Sequence, residues 1–164
     1  MRILICINHP AHVHYFRNLI KIMESEGHEF RVMNRDSDVI NKLLDFYGID
    51  HITGEKRRKR KGVIASFLSL SKAVLACLKV SRTFNPDLYL GFASAPCAIT
   101  SWICRKPSVL LDDTEFNKMN HMVYMPFCST VLTPFYFQKH LDEGKKQLYF
   151  NAFIEQLFLH SKYK

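Results

Sequence analysis

Met1-Arg2-Ile3-Leu4-Ile5-Cys6-Ile7-Asn8-His9-Pro10-Ala11-His12-Val13-His14-Tyr15-Phe16 opens the chain, and its reading decides the fold. Arg2 to Ile7 is a continuous apolar run rich in β-branched residues, the pattern of a strand covered on both faces, as strands of a parallel sheet are. Val13, Phe16, Leu19, Ile20 and Met23 then recur at helical spacing, and Gly27 supplies a left-handed stop. Parallel neighbours cannot be joined by a hairpin, so a buried strand followed at once by a helix is the first half of a parallel crossover.

The same alternation continues outward. Phe30 to Met33 reads as a strand, followed by a helix capped by Asp36 or Ser37. That helix presents Val39, Ile40, Leu43, Leu44 and Tyr47 and ends at Gly48. Ile49 to Thr53 is a short strand. Val63, Ile64, Phe67, Leu68, Val74, Leu75 and Leu78 keep the helical period until Asn85-Pro86 stops it. The spacing then predicts a strand at Leu88–Phe92, a helix at Pro96–Cys104, a strand at Ser108–Leu111, a helix over Phe116–Phe127 and a last short strand at Val131–Thr133. Strands alternating with helices in this way define a doubly wound α/β layer with a mainly parallel sheet. No internal repeat is present.

The composition is that of a globular domain of 164 residues, with 48% hydrophobic residues, which excludes disorder and a collagen-like chain. The formal net charge of +8 is local. Six cations form one run, Lys56-Arg57-Arg58-Lys59-Arg60-Lys61, and without them 17 bases face 15 acids. Six adjacent cations belong on an exposed loop. They are candidates for contact with an anionic membrane surface. No aromatic platform or reading helix accompanies them, so nucleic acid is not an expected partner.

The apolar stretch Val63 to Val80 approaches membrane-spanning length, but Lys72 and Lys79 interrupt it, and a buried amphipathic helix is expected there. Five cysteines with no C-x-x-C pair point to a reducing compartment. The apolar run at the N-terminus is too short for a signal-peptide core. A cytoplasmic protein, peripheral at most to the inner membrane face, is the expectation.

In an open parallel sheet, ligands bind outside the carboxyl ends of the strands. That rule selects Asn8, His9 and His12 after the first strand, Arg35 after the second and Ser94 after the fourth. After the fifth it selects Asp112, Asp113, Thr114 and Glu115. Three histidines at a helix start with carboxylates on a neighbouring strand end offer a base, an orienting acid and backbone N–H groups for an anion. His12, Asp113 and Glu115 are the candidate catalytic residues, and Asn8, His9, Arg35, Ser94, Asp112 and Thr114 the candidate substrate contacts. His14, two residues from His12, faces another side of the helix and is expected to be structural. Ligation of a metal by His9, His12 and His14 with Asp112 or Asp113 is a weaker reading, and neither metal nor cofactor is expected. The loop lacks G-x-G-x-x-G and is no dinucleotide fingerprint.

Six segments carry a family resemblance: the opening stretch to Phe16, Glu26-Gly27-His28-Glu29, Asn85-Pro86-Asp87-Leu88, Asp112-Asp113-Thr114-Glu115, Leu132-Thr133-Pro134 and Tyr149-Phe150-Asn151. Together they resemble the family called domain of unknown function 354, which looks like a branch of the GT-B glycosyltransferases and UDP-N-acetylglucosamine 2-epimerases. In the lipid-linked N-acetylglucosaminyltransferases of that group a histidine follows the first strand, and His12 falls at its place. Asp113 and Glu115 fall where that group has Glu-Gln-Asn.

The resemblance implies the N-terminal domain of a GT-B-type fold, with residues 1–150 as a Rossmann-like acceptor-side domain and 151–164 as a crossover toward a second domain. It further implies a nucleotide sugar and a glycan or lipid-linked acceptor as partners of the full enzyme. Turnover is not expected of this half alone. Half of an epimerase and a non-catalytic binding module are the alternatives. A separate C-terminal domain, or self-association through Phe153, Ile154, Leu157 and Phe158, would cover the apolar tail.

Overall fold

The computed structural model describes residues 1–54, 62–137, 141 and 146–159. The run Lys56 to Lys61 lies outside the described residues. Seven strands form one sheet in the order β3-β2-β1-β4-β5-β6-β7, where β1 is Arg2–Ile7, β2 Glu29–Asn34, β3 His51–Thr53, β4 Leu88–Phe92, β5 Ser108–Leu111, β6 Thr130–Pro134 and β7 Gln147–Phe150. Every described pairing is parallel, with Ile5 of β1 opposite Val32 of β2 on one side and Leu90 of β4 on the other. The doubly wound α/β layer is therefore what the alternation predicted.

Helices cover both faces because β1 is apolar on both. Ile3, Ile5 and Ile7 pack with Val13, Phe16 and Ile20 of α1 (Pro10–Ser25) and with Ile40 and Leu44 of α2 (Asp38–Phe46). Leu4 and Cys6 point the other way, to Cys77 and Val80 of α3 (Val63–Phe84), Ala98 of α4 (Ala95–Ile103) and Tyr124 of α5 (Lys118–Tyr124). Each large apolar side chain so buried contributes about 1.5–3 kcal/mol. At Gly91 in β4 a Cβ would stand 3.1–3.3 Å from Ser94, Leu110 and Cys97, so the start of α4 packs closely on the sheet there.

Three expectations change. The helix expected over Phe116–Phe127 is only α5: the Asn117 side chain caps its start by accepting from Asn120 N–H at 3.3 Å, and Pro126 follows its end. Val131–Thr133 is not the last strand, since β7 pairs with β6 through Leu132 opposite Leu148. The buried helix expected from Val63 is buried only in its second half, at Val74, Cys77, Val80 and Ser81, while Ile64 is 78% and Phe67 67% exposed. Length explains this. A helix of 22 residues runs about 33 Å, whereas a five-residue strand such as β4 spans about 17 Å. The end of α3 is tied to the start of β4 by the Asn85 turn (φ 47°), so its first turns overhang the carboxyl edge of the sheet. By length and composition α3 is apolar enough to cross a membrane.

The tail is not free. Ile154 is fully buried, and Leu157 accepts a hydrogen bond from Asn18 of α1 at 2.9 Å just inside α6 (Gln156–Leu159). Phe153 remains half exposed.

Candidate functional site

The strand order reverses between β1 and β4, and there the loops after the two strands diverge and leave a crevice at the carboxyl edge. His9 occupies the N-cap of α1, its Nδ1 accepting from Ala11 N–H at 3.3 Å, with Pro10 in the first turn. His12, one turn in, is 93% buried and stacks on Phe92 at the end of β4, the ring centroids 4.5 Å apart. Burial pushes its pKa down to about 3, and the charge of His9 adds to the effect. The ring is therefore neutral at pH 7, and its buried Nδ1 has no hydrogen-bond partner among the described residues. The three histidines do not converge: His14 turns away to the Tyr47 hydroxyl at 3.2 Å.

Asp113 lies on the same side of the sheet edge as His12. Tyr15, whose ring is 6.1 Å from His12 and 5.4 Å from Phe92, has its phenol pKa raised first by burial and then by the negative charges of Asp113 and Glu155. Burial also raises the Asp113 carboxyl, against a hydrogen bond from the Thr114 hydroxyl at 2.9 Å. Glu115 is half-buried two residues further along the turn.

Asp112 is turned inward: it is 1% exposed and points between the sheet and α5. Its carboxylate accepts from Tyr124 Oη at 2.5 Å, from His121 Nε2 at 3.0 Å and from Thr114 N–H at 2.9 Å. Successive residues of an extended chain point to opposite faces, so Asp112 takes the α5 side because Asp113 takes the α1 side. Asp112 anchors the turn that carries Asp113, Thr114 and Glu115. Asn120 ties that turn to the loop after β4, donating to the Ala93 carbonyl at 2.8 Å. Ala93 itself is held at φ 42°, a left-handed conformation costing a non-glycine residue about 1–3 kcal/mol.

Asn8, Arg35 and Ser94 belong to a separate space. On the opposite face of the sheet a cleft of about 1040 Å³ opens between the carboxyl ends of β1 and β2 and the overhanging turns of α3, and all three residues line it. Arg35 is exposed, whereas Ser94 is buried at the start of α4.

Sequence reasoning missed Tyr15, Tyr136, Glu155, His121 and Tyr124. Tyr136 stacks on Phe153 at 5.2 Å, and its phenol, like that of Tyr15, feels both Asp113 and Glu155. No local pattern marks these residues: Tyr15, Tyr136 and Glu155 meet only where the segments after β6 and β7 return to α1, and His121 and Tyr124 meet Asp112 only where α5 packs on the other face.

A seven-stranded parallel sheet covered by helices on both faces, its order reversing between β1 and β4, is a Rossmann-like α/β layer. The chain belongs to the family described as Protein of unknown function (DUF354), whose sequence profile matches residues 1–147. A UDP-N-acetylglucosamine--N-acetylmuramyl-(pentapeptide) pyrophosphoryl-undecaprenol N-acetylglucosamine transferase of Baumannia cicadellinicola subsp. Homalodisca coagulata is 25% identical over 120 residues, 69% of this chain and 34% of that protein. The chain thus spans about a third of the length of such a relative.

Among solved structures, Acinetobacter baumannii MurG matches with a TM-score of 0.70 at 13% identity, over 91% of this chain and 44% of that one. UDP-GlcNAc 2-epimerase from Neisseria meningitidis, bound to UDP-GlcNAc, matches with a TM-score of 0.67 at 9% identity, over 81% of this chain and 40% of that one. Likeness at such identity establishes the shared fold.

Proposed function

We propose that this chain is the acceptor-side half of a GT-B-like glycosyltransferase of surface or cell-wall polysaccharide synthesis. The observation that carries the reading is His12: a neutral, buried imidazole at the switch point, its Nδ1 unpartnered among the described residues, with Asp113 on the same side of the sheet edge. In the proposed reaction an acceptor hydroxyl gives its proton to His12 as its oxygen attacks the anomeric carbon of a nucleotide sugar. The bond from that carbon to the nucleoside diphosphate breaks, and the diphosphate leaves with the electron pair. An imidazole with so low a pKa is a weak base until a negative charge faces it, and Asp113 is the group that would offset the imidazolium. Glu115, His9 and Thr114 complete the acceptor side.

Residues 1–150 form the acceptor-side domain in this reading and 151–164 lead toward the second. The donor sugar is held by a second Rossmann-like domain, in the same chain or a separate one, and closing the two excludes water. The 164-residue chain alone is therefore expected not to transfer sugar. With both domains present, His12→Ala should lower turnover by about 100-fold, the range for a lost general base. Undiminished transfer by a folded His12→Ala protein would remove His12 from this role. The fold shared with a 2-epimerase favours a second reading, in which the base removes a ring proton. Solvent deuterium entering the sugar ring would select it.

The proposal includes docking at the inner face of an anionic membrane. In sequence, Lys56 to Lys61 immediately precede α3, whose first turns expose Val63, Ile64 and Phe67. Each cation near an anionic surface contributes about 1 kcal/mol. Sedimentation should recover the protein with phosphatidylglycerol vesicles and not with phosphatidylcholine vesicles. Equal weak binding to both would reject electrostatic docking.

A further inference from the structure

On the α1 side of the carboxyl edge, two aromatic groups flank one short stretch of chain. After β6, Tyr136 stacks on Phe153 with ring centroids 5.2 Å apart, and Phe135 meets Phe153 edge-on at 5.7 Å. On α1, Tyr15 packs on Phe92 at 5.4 Å and on Phe158 at 5.5 Å. Phe153 and Phe158 belong to the same short segment, so Glu155 is carried between the two groups, and its charge acts on Tyr15, Tyr136 and Asp113 alike. The surface is open to solvent: Phe153 is 53% exposed, and Glu155 is exposed beside it. Among the described residues neither Asp113 nor Glu155 forms an ion pair. Both carboxylates raise the pKa of both phenols, which makes this a negative spot on a chain whose net charge is +8.

We propose that this surface seats the acceptor sugar and selects a hexosamine whose amino group is free and protonated, with the apolar face of the sugar ring on Tyr136 and Phe153 and the ammonium at Glu155. The inference rests on the glycosyltransferase reading for the use of the site and deepens it by assigning the class of acceptor. The chemistry is complementary at each point. The C–H bonds on one face of a pyranose are attracted by the negative face of an aromatic ring. An ammonium is drawn to the same ring faces and forms a charge-assisted hydrogen bond with a carboxylate. An N-acetyl group in its place is neutral and leaves the carboxylate uncompensated. Asp113 has another task, since in the proposed reaction it offsets the imidazolium of His12. Glu155 therefore carries the discrimination. Tyr15 joins the two functions: its ring lies 6.1 Å from that of His12 and 5.5 Å from that of Phe158, so the sugar subsite and the candidate base share one wall.

The test is NMR titration of the isotopically labelled 164-residue chain with glucosamine, N-acetylglucosamine, glucose and methylammonium, at a slightly acidic pH where glucosamine is protonated. Glucosamine should bind saturably, at least fivefold more tightly than the other two sugars and than methylammonium. Glu155→Gln, at an exposed position, should bring glucosamine down to the level of N-acetylglucosamine and leave N-acetylglucosamine unchanged. Phe153→Ala should weaken all three sugars several-fold, with the amide signals of β1 and β4 unmoved to show that the fold is kept. N-acetylglucosamine binding as tightly as glucosamine would overturn the proposal. So would indifference of glucosamine to Glu155→Gln, equal binding of methylammonium, or no saturable binding of glucosamine. Any of these would leave the His12 reading standing, because that reading is judged on sugar transfer with both domains and this one on sugar binding without donor or second domain.

Discussion

His12 makes the stability of this protein depend on pH in a way that can be calculated. Its pKa is held at about 3 in the folded chain and lies near 6.5 in an unfolded one. The folded state thus binds the proton less readily than the unfolded state. The linkage sign follows: stability is complete above pH 6.5, falls as the pH drops toward 3, and levels off below. Between pH 7.5 and 4.5 the loss should be about 2.6 kcal/mol, at roughly 1.4 kcal/mol per pH unit over the two units below 6.5. His12→Phe keeps an aromatic ring to stack on Phe92 but removes the titration. Urea unfolding of both proteins at a series of pH values gives the test, because the difference between the two profiles isolates His12 from every other group. Wild type should lose about 2–3 kcal/mol more than His12→Phe over this interval. Parallel profiles would refute the reasoning, and with it the claim that burial keeps the imidazole neutral for its proposed role.

Three further outcomes are expected. Gly91→Ala should cost about 1–3 kcal/mol in urea unfolding, since a Cβ would press on Leu110 and Cys97 at 3.2 and 3.3 Å. Tyr124→Phe removes one of the hydrogen bonds to the buried Asp112 carboxylate and should cost about 1.5–3 kcal/mol, the range for a bond to a charged group. Hydrogen exchange should show the Asp112–Glu115 turn loosened in this variant more than β1. Ile154→Ala should cost about 2–5 kcal/mol by leaving a cavity where this side chain is fully buried. No loss of stability would mean that the segment before α6 is not integral to this domain.

Much of the fold was legible because a parallel sheet covered on both faces writes itself into uninterrupted apolar runs, and Arg2–Ile7 and Leu88–Phe92 are such runs. Parallel pairing then forced helices between them, and the carboxyl-edge rule selected the loops that hold His12, Asp113 and Arg35. β7 escaped because its first residue, Gln147, is polar yet buried. Its amide donates to the Thr133 hydroxyl at 3.0 Å and accepts from Leu141 N–H at 2.9 Å, so no apolar alternation marks the strand. The true extent of cover over α3 escaped for a different reason. Periodicity records which side of a helix is apolar, but only the relative lengths of helix and strands decide how much of that side meets the sheet.

The sequence by itself determined the layer, its strand edges and the histidine loop, since these follow from hydrophobic period and chain connection. Only the tertiary structure decided which way each edge residue faces. It turned Asp112 inward to Tyr124 and His121, gathered Asp113, Tyr15, Tyr136 and Glu155 on the α1 side, and put Asn8, Arg35 and Ser94 in a cleft on the other. The physical reason is that side-chain direction at a strand end depends on the register and packing of elements distant in sequence, and no local pattern contains that information.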